Sequence, residues 1–161
     1  MNILIQRDCC NKLFDDFMFQ DLKSALPPKK KGVYAIRVKQ AGVSVKEIYE
    51  KLYQLLQKLN WKMIEEKVLS RINRLEKINQ CSIIYIGSAG THKGSKNTLK
   101  GRYKEFAGRH TAMYPIWALV YFGWKLEFGW KETENPSQLE DQLKQKYKKL
   151  HNDKLPALVE R

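Results

Sequence analysis

Five residues occur in an order that can do chemistry on a phosphate. Tyr34 closes the tripeptide Gly32-Val33-Tyr34, Tyr85 opens Tyr85-Ile86-Gly87, and Arg102, Glu140 and Asn152 follow. A phenol can handle a proton and hold a phosphate oxygen. A guanidinium can neutralise the charge that develops as phosphorus is attacked. A carboxylate oxygen is the ligand that hard divalent cations prefer. An amide can hold such a set in place. Together these groups can cut a phosphodiester with one divalent metal.

The charge of the chain suits that chemistry. Thirty Lys+Arg stand against 17 Asp+Glu, a formal net charge of +13 over 161 residues. Such an excess predicts attraction to polyanions, because each phosphate neutralised releases a counterion. It is concentrated just after Tyr85-Ile86-Gly87. Residues 93–110 carry six basic side chains (Lys93, Lys96, Lys100, Arg102, Lys104 and Arg109) against one acid, Glu105, a net of +5. With His110 they form a candidate surface for a nucleic-acid backbone. Read blandly, the same run is a solvated loop and helix face.

The length allows one domain with its own core, 1–161, with 1–31 as an amino-terminal extension. No run approaches the length of a membrane span. The early Arg7, Asp8, Asp15 and Asp16 argue against a signal peptide. The three cysteines, Cys9, Cys10 and Cys81, show no zinc-type spacing and read as reduced and non-catalytic, which fits the cytoplasm.

The elements that must position the five residues follow from periodicity. Residues 1–26, with Phe14, Phe17 and Phe19, read as a short helix on the core, broken at Pro27-Pro28. Gly32 to Val38 reads as a strand, and Ser82 to Ile86 as a buried one. Between them, Ser44 and Glu47 form a capping box. Val45, Ile48, Leu52, Leu55 and Leu59 then make a helical seam. Ile64, Val68, Ile72 and Leu75 continue it after a break near Asn60-Trp61. The stretch 43–80 is therefore one long helix or a pair. Asn97 or Thr98 caps a helix carrying Leu99, Arg102, Tyr103 and Phe106. Ile116–Phe122 and Lys125–Lys131 look like strands about a turn at Gly123. Asn135-Pro136 starts a late helix that buries Leu139, Leu143, Tyr147 and Leu150 and stops near His151-Asn152.

These motifs in this order resemble the GIY-YIG nuclease family. Gly32-Val33-Tyr34 matches the first tripeptide with Val for Ile, and Tyr85-Ile86-Gly87 matches the second. Leu99-Lys100-Gly101-Arg102 resembles the arginine-bearing helix, Leu139-Glu140 the start of the glutamate-bearing helix, and Asn152 the asparagine. The resemblance covers about 32–38 and 83–155. It implies an α+β fold, a small antiparallel sheet flanked by helices, with an α-helical insertion at 43–80. It implies metal-dependent hydrolysis of DNA, with Mg²⁺ or Mn²⁺ on Glu140. Tyr34 would help to deprotonate the attacking water, with Lys29 to Lys31 and Arg102 lowering its pKa from about 10. Tyr85 would bind phosphate or the water, Arg102 would stabilise the transition state, and Asn152 would hold the geometry.

The chain departs from the family pattern in three ways. Residues 39–82 separate two tripeptides that are usually joined by a short connection. Ser88 and Phe106 stand where branches of the family carry lysine and histidine, which leaves His92 or His110 as substitutes. No separate recognition module is present. The insertion can pack on its own second half and the core, dimerise, or lay Lys51, Lys58, Lys62 and Lys67 along DNA. A homodimer would suit a restriction-type double-strand cut; repair and mobile-element nucleases are further options. Trp117, Trp124 and Trp130 can stack on bases, though strand tryptophans are more often core. Two competing readings remain: a binding module that keeps the fold without the chemistry, and an interaction protein working through 43–80.

Overall fold

The computed structural model describes residues 9–77, 81–91, 97–105 and 114–159. Lys93, Lys96, His92, Phe106, Arg109 and His110 lie outside the described residues.

The fold is α+β. Its sheet has four antiparallel strands in the order β1-β4-β2-β3: β1 Met18–Asp21, β2 Gly32–Gln40, β3 Ile83–Ala89 and β4 Lys125–Glu132. The strand carrying Gly32-Val33-Tyr34 is interior, and the strand carrying Tyr85-Ile86-Gly87 lies beside it at the edge. In their register Tyr34 opposes Gly87 and Ile36 opposes Tyr85. The intervening 43–80 leaves this pairing intact.

The six helices among the described residues are α1 Asn11–Phe14, α2 Val45–Leu59, α3 Lys62–Lys77, α4 Leu99–Glu105, α5 Tyr114–Tyr121 and α6 Pro136–Leu150. None is long and apolar enough to cross a membrane. Strand alternation divides the core in two. Tyr34, Ile36, Val38, Leu126, Phe128 and Trp130 face one side, where Val45, Ile48, Val68, Ile72, Leu99, Ile116 and Leu119 pack on them. Val33, Ala35, Ile83 and Ile86 face the other, under Phe14, Leu143 and Tyr147.

The insertion is a helical pair. The side chain of Ser44 accepts from the Glu47 N–H, and α2 ends where Asn60 turns left-handed at φ 55°. Its buried line runs Val45, Ile48 and Leu56. Leu55 and Leu59, expected in the seam, are exposed: Leu56, one residue along, is the position whose side chain falls beneath the helix. Val68 and Ile72 of α3 join the same core, so the insertion packs on itself and on the domain.

Three expectations are corrected. Ile116–Phe122 lies mostly in helix α5, not in a strand. A short apolar run cannot distinguish a strand from a buried helix, and here Pro115 sits at the helix start while Ile116 and Leu119, three apart, are buried. Gly123 at φ 85° ends α5. Its N–H bonds the Val120 carbonyl at 3.1 Å and that of Trp124 bonds the Leu119 carbonyl at 3.0 Å, the paired bonds of a Schellman stop. Residues 9–26 add a strand, β1, to the expected short helix. Leu150, on the outer side of α6, is 57% exposed.

Candidate active site

The two glycines of the tripeptides make room for their neighbours. A Cβ on Gly32 would run into the Lys131 carbonyl and come within 2.8 Å of Leu99 Cδ1. The absence of a side chain there lets α4 dock against β2. Backbone bonds from Leu99 N to the Lys30 carbonyl (2.8 Å) and from Lys100 N to the Pro28 carbonyl (3.0 Å) fix the helix start. Thr98 Oγ1 accepts from Gly101 N at 3.1 Å as its cap. Arg102 follows one turn on, and the 29–31 lysine segment lies against that helix.

Gly87 does the same for Tyr34. A Cβ there would sit 2.6 Å from both Cζ and Oη of Tyr34. The Tyr34 ring cannot swing aside, because it is stacked between Tyr85, at 5.9 Å between centroids, and Phe128, at 5.4 Å. Gly87→Ala is therefore expected to destabilise the fold by about 1–3 kcal/mol, the usual cost of overpacking. Urea denaturation checks this, and an unchanged midpoint would mean that Tyr34 has another place to go.

Four of the five candidate residues converge. Tyr34 is 5% exposed. Burial pushes its phenol well above the ordinary range; the hydrogen-bonded Tyr85 pushes the same way, as does Glu140, while Arg102 pulls down. This overturns the expectation of a lowered pKa. One guanidinium is outweighed by burial and by two acceptor-rich neighbours, and Lys30 is turned towards Glu132, 3.2 Å away. Tyr34 is a protonated phenol at neutral pH.

That shift has a stability consequence. A phenol with a raised folded pKa favours the fold fully below its unfolded value of about 10, and the contribution is lost as pH rises past it. Between pH 9 and 11 the wild type should therefore lose more stability than Tyr34→Phe. Parallel denaturation curves for the two proteins over that window would refute the assignment.

Arg102 is partly buried, and its Nη1 meets Glu105 at 3.0 Å. Burial works against its charge, but Glu105, Tyr34 and Tyr85 more than offset this and raise its pKa. Its Nε is buried and makes no hydrogen bond among the described residues. A buried N–H of a cation left unmatched is costly, and a phosphate oxygen is the partner it suits.

Glu140 comes from α6, on the opposite face of the sheet, and reaches the rim at β3. Ser88 Oγ donates to its Oε2. Lys144, one turn along the helix, meets Oε1 at 2.5 Å, with both side chains less than a fifth exposed. Ser88 and Lys144 are the site residues that motif order misses. Lys144 was announced only by its i, i+4 spacing from Glu140, and it brings an ammonium beside the site of a chain that lacks lysine at 88. An open cleft of about 530 Å³ runs between Lys31, Gly90 and Thr91 and the first turns of α6 at Pro136, Ser137 and Asp141. It borders the chain neighbours of Ser88 and Glu140.

Asn152 does not join them. It is exposed, with φ 51°, and the Asp153 N–H bonds the Lys148 carbonyl at 2.8 Å across it. It is the left-handed residue that stops α6. Twelve residues at 1.5 Å each put it about 18 Å along the axis from Glu140. Of the candidate backbone-binding lysines within the described residues, Lys104 is exposed and Lys100 half-buried on α4. Trp124 and Trp130 are buried; Trp117 is partly exposed on α5, so only Trp117 of the three is open to a base.

The donor set at Glu140 fits a hard cation. Each carboxylate oxygen has a second lone pair beyond its present partner. One carboxylate, completed by water and substrate phosphate, is a usual way to hold Mg²⁺. Lys144 already shows that positive charge is favoured at Oε1.

No family model, curated protein or solved structure matches the chain.

Proposed function

We propose that this protein is a metal-dependent endonuclease of the GIY-YIG type that hydrolyses DNA phosphodiester bonds. The observation that carries the reading is the convergence of Tyr34, Tyr85, Arg102 and Glu140, from four separate elements, around the end of one edge strand. The net charge of +13 supports a polyanionic substrate.

The protonated Tyr34 phenol sets the roles. Attack by water forms one P–O bond and breaks the bond to the leaving sugar oxygen. The water's proton passes to the Tyr34 hydroxyl as that hydroxyl's own proton moves along the hydrogen bond to the half-buried Tyr85 and out to solvent. The leaving oxygen regains a proton from water. The Arg102 guanidinium meets the charge that grows on the non-bridging oxygens. Mg²⁺ or Mn²⁺ at Glu140, when bound, supplies charge against the leaving oxygen.

A second reading, a binding module of the same fold without chemistry, is favoured by one observation: Lys144 already neutralises Glu140. Incubation of the protein with supercoiled plasmid and with branched DNA in Mg²⁺ or Mn²⁺ separates the two. Metal-dependent cutting supports the nuclease. Salt-sensitive binding with no cutting of either substrate supports the module.

A further inference from the structure

We propose that Cys9, Cys10, Cys81 and His151 form a structural Zn²⁺ site, remote from the proposed catalytic centre, that ties the amino-terminal segment to the head of β3 and the end of α6. The four ligand atoms lie within 4.8 Å of one another. Cys10 Sγ is 3.8 Å from Cys9 Sγ, 3.4 Å from Cys81 Sγ and 3.9 Å from His151 Nε2, and Cys9 Sγ is 2.9 Å from Cys81 Sγ. Zn–S and Zn–N bonds of about 2.3 and 2.0 Å at tetrahedral angles give ligand edges of about 3.6–3.8 Å. The three Cys10 separations fall within about 0.4 Å of that range, and the Cys9–Cys81 edge must open by less than about 1 Å. Cys10, Cys81 and His151 are each under 9% exposed, as a closed structural site requires.

The surroundings select a metal over a disulfide. His151 Nδ1 lies 2.8 Å from the Tyr147 carbonyl oxygen. A carbonyl can only accept, so Nδ1 carries the proton and Nε2 turns a bare lone pair to the sulfurs. This orientation of a ligating histidine by a backbone carbonyl is how proteins fix the tautomer for a metal. The hydroxyl of Tyr147, a residue with no exposed surface, makes no conventional hydrogen bond among the described residues and interacts with the Cys81 sulfur. A donor of that kind supports a metal-bound thiolate from the second layer. A disulfide would use two sulfurs and leave the third thiol and the oriented imidazole without a role. Zinc uses all four: three Zn–S bonds and one Zn–N bond form as the three thiols release their protons to solvent. The ligands come from three distant places in the chain, which is why no zinc-type spacing announces them.

The test uses the full chain purified without chelator from zinc-supplemented medium. A single tightly held zinc per chain is expected by elemental analysis, unchanged by Glu140→Ala and retained by His151→Cys. It should fall at least about tenfold in Cys10→Ser and His151→Ala. Should those variants fail to fold, Co²⁺ titration of metal-stripped wild type serves instead. Saturation at one equivalent, with the visible bands of tetrahedral cobalt thiolate, supports the site. Wild type that holds neither zinc nor cobalt overturns the proposal, whether its three thiols prove freely reactive or its mass, lower by two hydrogens, shows a disulfide.

Discussion

Glu140→Ala is expected to lower metal-dependent cleavage by about 10³-fold or more while leaving DNA affinity nearly unchanged. The magnitude follows from the charge that the carboxylate brings into play. Lewis-acid stabilisation by a bound cation is worth several kcal/mol in the transition state, and each 1.36 kcal/mol is about tenfold in rate. Affinity should hold because the basic surface, not one acid, attracts the polyanion. Glu140 also has a purely structural account, as the partner of Lys144 in a half-buried helix pair. Lys144→Met separates the two. If Glu140 serves only the pair, both substitutions should cost the same activity and the same stability. If it holds the cation, Lys144→Met should keep most of the metal dependence. Single-turnover rates against Mg²⁺ concentration decide it, and equal losses in the two variants would remove Glu140 from the metal site.

The sheet and the long helices were legible because their patterns repeat. Gly32 opens β2 and Gly87 lies within β3, each with a physical reason to be there. Ser44 caps α2 and Pro136 starts α6 where capping chemistry predicts. The break at Asn60-Trp61 is a left-handed stop. The failures share a cause. Ile116–Phe122 is too short and too uniformly apolar to show its period, and β1 is a four-residue edge strand whose partner, β4, lies more than 100 residues on. Leu55 and Leu56 differ by one step around the helix, and only packing against α3 decides which is inside.

The site was legible as an order of residues and not as an environment. The strands and helices expected to carry Tyr34, Tyr85, Arg102 and Glu140 are present, and strand pairing brings these four candidates near one another. Order could not show that burial raises the Tyr34 phenol, because lysines near in sequence are not thereby near in space. Nor could it distinguish a reaching asparagine from one that stops a helix: Asn152 suits both, and φ 51° with an exposed side chain assigns it to the stop. Ser88 was visible as a missing lysine, but its bond to Glu140 needed the two sheet faces to meet at the rim.

Arg102→Ala should lower the cleavage rate by about 10²–10³-fold, the usual cost of removing one donor aimed at developing charge. An arginine that merely holds a phosphate in the ground state predicts something else: weaker binding, a salt slope smaller by about one, and an unchanged rate at saturation. Saturating single-turnover rates distinguish the two, since a transition-state role lowers the rate itself. The buried Nε points to the stronger outcome, because a guanidinium whose Nε has no acceptor among the described residues carries charge there that only the substrate's developing charge would offset. Arg102→Lys sharpens the expectation. Lysine keeps the positive charge, but has no Nε in that plane and no rigid fork to divide between Glu105 and a phosphate oxygen. Its rate should stay close to that of the alanine variant, with DNA affinity near that of wild type. Full recovery of the rate by lysine would mean that Arg102 acts as a point charge, and the buried Nε would then have no part in the chemistry.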